Sequence, residues 1–505
     1  MNATPQASTD PVFSGLEPAA VWTHFARLCR IPRQSKAEGP LREEIRLWAL
    51  ARGLSATVDA AGNLLLRKPA SGGLEKAPGV ILQAHLDMLC QKEAETVHDF
   101  ARDPIRPVRR DGWLLAEGTT LGADNGIGVA LILAALDDAS LLHGPLEALL
   151  TVDEEAGMGG ARGLEGDLLL GRLLLNLDTE EWGEFYLGCA GGLDVNVKRD
   201  GTAVPLPAGF ECRRIDLYGL RGGHSGIDIH EERGNAIKLL VRVLRDLEKR
   251  FPLHLAEFRS GSARNSLPRE ASAVVAVPAR QVAALVAGLG AWQWLLREEL
   301  LGVDEAVSIN LAPATARRVL SAEDQAVWLA SLHAAPHGVQ RRSLRVPGVV
   351  ETSNNLGMVG ITPYGGWCNF MVRSLRESGS RGLADEIVSL FALSGTSAEI
   401  AGYYPGWAPN PASPLLGLCQ SVYRRQFGGE SSVRVIHAGL ECGLIAAVYP
   451  GLDMVSFGPT IRGAHAPGER VEIVSVGKAW HLLRAILAAI GAGDASAASG
   501  EVASR

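Results

Sequence analysis

Four short apolar runs in this 505-residue chain each lead into acids or histidines. Gly79–Ala84 runs into His85 and Asp87, Leu146–Val152 into Glu154 and Glu155, Arg172–Leu177 into Asp178, and Asp453–Phe457 into a loop that holds His465. Runs this short, rich in Val, Ile and Leu, suit strands buried on both faces, the pattern of a parallel sheet. A helical pattern over Asn125–Asp137 supplies a crossover between the first two, so the predicted fold class is α/β. In open sheets of this type, loops at the carboxyl ends of strands project into one crevice. The acids and histidines, with Asp124 at the front of the helix, are expected to share it.

Imidazole and carboxylate together suit zinc, manganese or cobalt, with no thiolate required. Taken singly, each residue has an ordinary structural reading. Asp124, immediately before a helix, is a natural N-cap, and Glu154-Glu155 could be a solvated loop. Adjacent carboxylates at a buried strand end nevertheless repel unless a cation or proton is shared. His85-Leu86-Asp87 has a mechanical logic as well, because a ligating imidazole commonly needs a carboxylate on its other nitrogen. Competing motifs fail. His230-Glu-Glu-Arg-Gly234 carries glycine where a zincin needs its second histidine, Gly223-His-Ser-Gly-Ile227 has Ile where a nucleophile elbow needs Gly, and Leu131 replaces the third glycine of a dinucleotide fingerprint.

Lys+Arg 49 against Asp+Glu 56 leaves a net charge of -7, which supplies no basic surface for nucleic acid. Seven cysteines, with no CxxC pair, point away from a disulfide framework and toward a reducing compartment. Met1–Phe13 lacks the basic and apolar regions of a signal peptide. No apolar run is read as approaching the roughly 18 to 20 residues of a membrane span. A cytoplasmic protein with no nucleic-acid or membrane partner is expected.

After Gly188-Cys-Ala-Gly-Gly192 the texture changes to strand-like segments, Ile215–Gly219 and Ala271–Val277, with an amphipathic helix at Asn235–Arg250. A turn-rich passage, Tyr403–Pro411, precedes a return to helix and buried strand. The expected organisation is a first catalytic part over 1–191, an inserted α+β domain over 192–404, a second catalytic part over 405–490, and a Gly/Ala/Ser-rich tail over 491–505. The tail and residues 1–12 are expected to be frayed.

The segments Gln83-Ala-His-Leu-Asp-Met88, Thr96-Val-His-Asp-Phe100, Gly118-Thr-Thr-Leu-Gly-Ala-Asp-Asn-Gly-Ile-Gly128, Asp153-Glu-Glu-Ala-Gly-Met158, Leu187-Gly-Cys-Ala-Gly-Gly192, His437-Ala-Gly-Leu-Glu-Cys-Gly443 and Gly458-Pro-Thr-Ile-Arg-Gly-Ala-His465 run in order through the chain. Together they resemble the aminoacyl-histidine dipeptidases, the Xaa-His or carnosinase-like branch of the di-zinc aminoacylase and carboxypeptidase superfamily. The resemblance implies a catalytic domain with a mixed central sheet flanked by helices, and a lid domain. It implies two divalent ions, zinc with manganese or cobalt as alternatives. His85, Asp124 and Asp178 would hold one ion, and Asp124, Glu155 and His465 the other. Asp87 would orient His85, and Glu154 would deprotonate a metal-bridging water.

Gly222-Gly-His-Ser-Gly226 resembles the family's lid loop, which makes His224 a candidate oxyanion donor. Arg264-Asn265 and Val372-Arg373-Ser374 also resemble lid segments, with Asn265 and Arg373 as candidate binders of the substrate amide and terminal carboxylate. His437 and Glu441 lie in a motif to which no role is assigned. The function implied is a dipeptidase favouring Xaa-His dipeptides such as β-alanyl-histidine, with a homodimer through the lid possible. An N-acyl-amino-acid amidohydrolase or aminopeptidase with the same centre is the nearest alternative, because substrate choice lies in pocket contacts. A non-catalytic metal binder is disfavoured, since Glu154 and all five ligand positions are present.

Overall fold

A computed structural model describes residues 11–493, which part into two compact units. Of the described residues, the first comprises 11–188, Pro409–Val435 and 441–493, and the second Cys189–Ala408 and Ile436–Leu440. Most of the expected frayed ends therefore lies outside the described residues. Within them, Pro11–Phe13 forms a short 3-10 helix and Gly491 closes the last helix, so ordered structure reaches further at both ends than the composition suggests.

The first unit is built on an eight-stranded mixed sheet in the order Ser55–Val58, Leu64–Lys68, Leu146–Thr151, Val80–His85, Leu173–Asn176, Asp453–Ser456, Glu184–Cys189 and Ser432–Ile436. The four strands from Leu146–Thr151 to Asp453–Ser456 are mutually parallel, so their carboxyl ends share one edge. Both Val80–His85 and Leu146–Thr151 are buried at every position, the signature of central strands covered on both faces. Helix Ala123–Asp137 is apolar all round, with Ile127 and Val129 through Leu136 buried, and it packs on Val80–His85 and on helix Ala19–Arg30. A helix without a polar face is a core helix.

Ile473–Gly491 corrects one expectation. By length and composition it is apolar enough to cross a membrane. Lys478, His481 and Arg484 interrupt the run and hid it from a reading by uninterrupted stretches. Val476, Leu483, Ile486, Leu487 and Ile490 are buried within the protein, as in a core helix.

The second unit holds a nine-stranded sheet ordered Ser308–Pro313, Phe210–Tyr218, Ala271–Pro278, His254–Ser260, Val350–Thr362, Gly365–Ser374, Gly191–Asp200 and Ser397–Tyr404, with Gly338–Arg342 paired to Val350–Thr362. All its pairings are antiparallel. Its core joins the inward face of this sheet to helices Ala236–Arg250, Val282–Glu299, Ala322–Ala334 and Glu377–Ala392 through residues such as Leu240, Leu244, Leu285, Trp328, Phe370 and Phe391. Asn235 caps Ala236–Arg250 by accepting from the N–H groups of Ile237 and Lys238, satisfying two otherwise unpaired donors of the first turn.

Candidate active site

Strand direction brings the ligand-type residues of the first unit together. His85 ends Val80–His85, Glu154 and Glu155 follow Leu146–Thr151, and Asp178 follows Leu173–Asn176. His465 lies in the turn after the short strand Ile461–Arg462. Asp124 does not cap its helix as the simplest reading expects. Gly122 holds the cap position with a positive φ of 68°, and Asp124 has extended backbone angles. Its carboxylate is thereby free to face two imidazoles. Oδ1 is 3.1 Å from His85 Nε2, and Oδ2 is 3.1 Å from His465 Nε2. Asp178 Oδ1 stands 3.5 Å from the same His85 nitrogen, and Glu155 Oε2 stands 3.0 Å from the same His465 nitrogen. Two histidine–carboxylate groups thus share Asp124.

The electrostatics are unbalanced. Among the described residues no lysine or arginine pairs within 4.0 Å with Asp87, Asp124, Glu155 or Asp178. Burial alone would lower the His85 pKa, yet Asp178, together with hydrogen-bonded Asp124 and Asp87, carries it well above the usual imidazole range. Hydrogen bonds to Asp124 and Glu155 push His465 up to about 11. Burial drives the Glu154 carboxyl well above its ordinary range, and Asp178, Glu441 and Glu155 add to this while His85 opposes it. Glu155 Oε1 is buried without a hydrogen-bond partner among the described residues. Such an acid-rich, partly unsatisfied cluster of N and O donors fits divalent cations, and atoms of His85, Asp124 and Glu155 converge within 4.8 Å.

Asp87 is fully buried, 3.4 Å from His85 Nδ1. It accepts from Ser35 Oγ at 2.7 Å and from the backbone N–H groups of Glu154 and Glu155 at 3.1 Å each. Burial opposes its charge, but His85 and these donors hold it at about 2. One carboxylate therefore ties the His85 loop to the Glu154-Glu155 loop.

Two residues that sequence reasoning missed do similar work. Glu469 accepts from the N–H groups of Leu121, Gly122 and Asp124 at 2.8, 2.9 and 3.1 Å, fastening the Asp124 loop. Buried Arg33 donates to the carbonyls of Leu86 and Asp87 at 2.9 Å each and to that of Gly122. Glu469 lies four residues beyond His465, a weak hint; Arg33 carries no sequence signal at all, because its targets are main-chain carbonyls.

Within the second unit, His224 and Arg373 come together, with Nε2 and Nη2 3.5 Å apart. His224 Nδ1 accepts from the N–H groups of Gly226 and Ile227 at 3.2 and 3.1 Å, so a neutral ring carries its proton on Nε2. Burial, reinforced by Arg373, lowers its pKa to about 4, which keeps the ring neutral at pH 7. Arg373 is buried, donates to Tyr404 Oη at 2.8 Å, and has no carboxylate within 4.0 Å among the described residues. A Cβ at Gly226 would stand 2.0 Å from the His437 carbonyl, so only glycine fits this turn. Asn265 is not brought into the pair. Its side chain is exposed, and only its carbonyl takes part, accepting from Ser225 N–H at 2.8 Å.

The chain is 46% identical over 477 residues to the cytosol non-specific dipeptidase of Escherichia coli, a match covering 94% of this chain and 98% of that one. Its fold is similar to the crystal structure of aminoacylhistidine dipeptidase from Vibrio alginolyticus, with a TM-score of 0.88 and 44% identity over 94% of this chain and 98% of the other. A tripeptidase from Staphylococcus aureus shares the fold at 16% identity and a TM-score of 0.54, covering 94% of this chain and 99% of that one. The model of peptidase family M20/M25/M40 matches residues 81–489. With that match and these relatives, the chain is a hydrolase acting on peptide bonds and belongs to peptidase family M20/M25/M40.

Proposed function

We propose that the protein is a two-metal dipeptidase, with Xaa-His dipeptides such as β-alanyl-histidine among its preferred substrates. The observation that carries this reading is the shared Asp124, whose two oxygens each face an imidazole at 3.1 Å. His85, Asp124 and Asp178 would hold one ion, and Asp124, Glu155 and His465 the other. Zinc suits this donor set, with manganese and cobalt as alternatives. When bound, the ions would acidify the attacking water and polarise the scissile carbonyl.

Glu154 would take a proton from the attacking water and return it to the leaving nitrogen, a role suited to a carboxyl whose pKa burial raises. His224 Nε2–H and Arg373 are donors facing each other with no acceptor between them, an arrangement suited to an oxyanion and a carboxylate. Asn265 is the proposed partner of the substrate amide. The names of the relatives support dipeptides as substrates and a cytoplasmic location. A homodimer through the second unit completes the reading, and light scattering checks it.

A panel of Xaa-His dipeptides, other dipeptides, tripeptides and N-acyl amino acids, assayed with zinc, manganese and cobalt, tests the substrate class. Dipeptides should lead; a preference for N-acyl amino acids or longer peptides would favour the amidohydrolase or aminopeptidase alternative. Arg373→Ala should mainly raise KM for substrates with a free C-terminal carboxylate, and an equal loss on C-terminally amidated peptides would remove that assignment. Asp87→Ala should weaken metal binding or activity by about 10- to 100-fold through misorientation of His85. Chelator titration of the purified variant reads it.

A further inference from the structure

At the carboxyl ends of the parallel strands lies a row of buried polar side chains that the mechanism does not use: Thr151, Asn176 and Ser456 are the last residues of their strands, and Gln83 stands two before the end of its own. Thr151, Gln83, Asn176 and Ser456 come from four successive strands, and Glu441 opens the helix Glu441–Val448. All five are at most 1% exposed. Ser456 Oγ donates to Asn176 Oδ1, Asn176 Nδ2 donates to Gln83 Oε1, and Gln83 Nε2 donates to Glu441 Oε2 at 2.7 Å. Thr151 Oγ donates to the same Glu441 oxygen at 2.6 Å. Glu441 Oε1 has no hydrogen-bond partner among the described residues.

Every donor in this chain points toward Glu441. An amide can present either its oxygen or its nitrogen to a neighbour, so a row of Gln, Asn and Ser could run either way. An oxygen that already accepts Thr151 admits only the nitrogen of Gln83. That choice turns the Gln83 oxygen toward Asn176, and the Asn176 oxygen toward Ser456. Side chains two apart on a strand share a face, so Gln83 lies directly beneath His85, and Asn176 stands two residues before Asp178. Thr151 is register-paired with His85 and leads into Glu154 and Glu155.

We propose that Glu441 is a positioning residue for the metal centre: its acceptor oxygen sets the direction of a buried hydrogen-bond chain that locks together four parallel strands, three of which lead directly into ligands. This rests on the two-metal reading above. Because the role belongs to an acceptor oxygen, Glu441→Gln can keep it by presenting its amide oxygen, whereas Glu441→Leu cannot. Glu147 is a matched control, a buried carboxylate near the opposite end of the same sheet that accepts from Arg67 and from the N–H groups of Leu170 and Gly171.

The test is zinc affinity of the metal-free full-length protein, read by competition with a chromogenic chelator, alongside its melting temperature. Glu441→Leu should bind zinc about 10- to 100-fold more weakly, the usual cost of losing a partner behind a ligand. Glu441→Gln should stay within about 3-fold of wild type, and Glu147→Gln should lower only the melting temperature. Gln83→Met cuts the chain at its second link and should match Glu441→Leu, which keeps the test alive if the latter does not fold. Unchanged affinity in Glu441→Leu or Gln83→Met overturns the proposal, as does a loss in Glu441→Gln equal to that in Glu441→Leu. So does an equal loss in Glu147→Gln. Wild type that takes up no zinc overturns the two-metal reading itself, an outcome distinct from wild type and variants binding alike.

Discussion

Glu154→Gln should still bind two ions while its kcat falls by about 10²- to 10⁴-fold, the range typical of lost general-base catalysis. The substitution keeps the side chain's shape and leaves the backbone N–H that holds the loop to Asp87 at 3.1 Å. Its neighbour should fail differently. Glu155 Oε2 lies 3.0 Å from His465 Nε2, whereas among the described residues Glu154 makes no such contact with a ligand-type imidazole. Glu155→Gln should therefore lose affinity for one ion, and excess metal should restore part of its activity. Metal content and kcat of each purified variant decide the matter. If Glu154→Gln loses metal and Glu155→Gln keeps it, the two roles are exchanged.

His224→Ala should lower kcat by roughly 100- to 1000-fold, about 3 to 4 kcal/mol, with metal content intact. The expectation rests on the ring's tautomer. Two backbone N–H groups occupy Nδ1, so the proton of the neutral ring is held on Nε2, where it can be donated. With a pKa near 4, the ring stays neutral from pH 7 down to that value and takes up a second proton only below it. The contribution of His224 should thus be flat across neutral pH. Loss of metal in His224→Ala, or an unchanged kcat, would remove the assignment.

How much of this was legible in the sequence follows from where each interaction lives. Buried parallel strands announce themselves because both faces are apolar, so Val80–His85, Leu146–Thr151 and Asp453–Ser456 were located within about a residue or two. The residues just past their ends then pointed to one crevice. Asp124 misled the simplest local reading, because its extended backbone inside an apparent helix start is imposed by the surrounding fold. Glu469 and Arg33 were invisible for another reason: they hold main-chain atoms, whose positions carry no side-chain pattern. The row under the ligands was missed because Gln83, Asn176 and Ser456 read as single polar interruptions of apolar runs. Only strand register makes them neighbours.

Asn265 was reached by motif resemblance alone: its side chain is exposed and outside the His224–Arg373 pair, so its proposed contact with the substrate amide rests on that resemblance. Ile473–Gly491 shows the limit of counting uninterrupted apolar residues. Its charged positions are spaced so that one long face still packs in the core.

Metal stoichiometry is the most direct test of the central claim. The full-length protein, stripped with a chelator and reloaded with saturating zinc, manganese or cobalt, is desalted and its metal measured by mass spectrometry beside hydrolysis of β-alanyl-histidine. Two ions per chain, with activity lost on chelation and regained on reloading, is the predicted result. A stoichiometry of zero or one at saturation, or hydrolysis that survives complete removal of metal, would contradict the shared role of Asp124 and with it the proposed site.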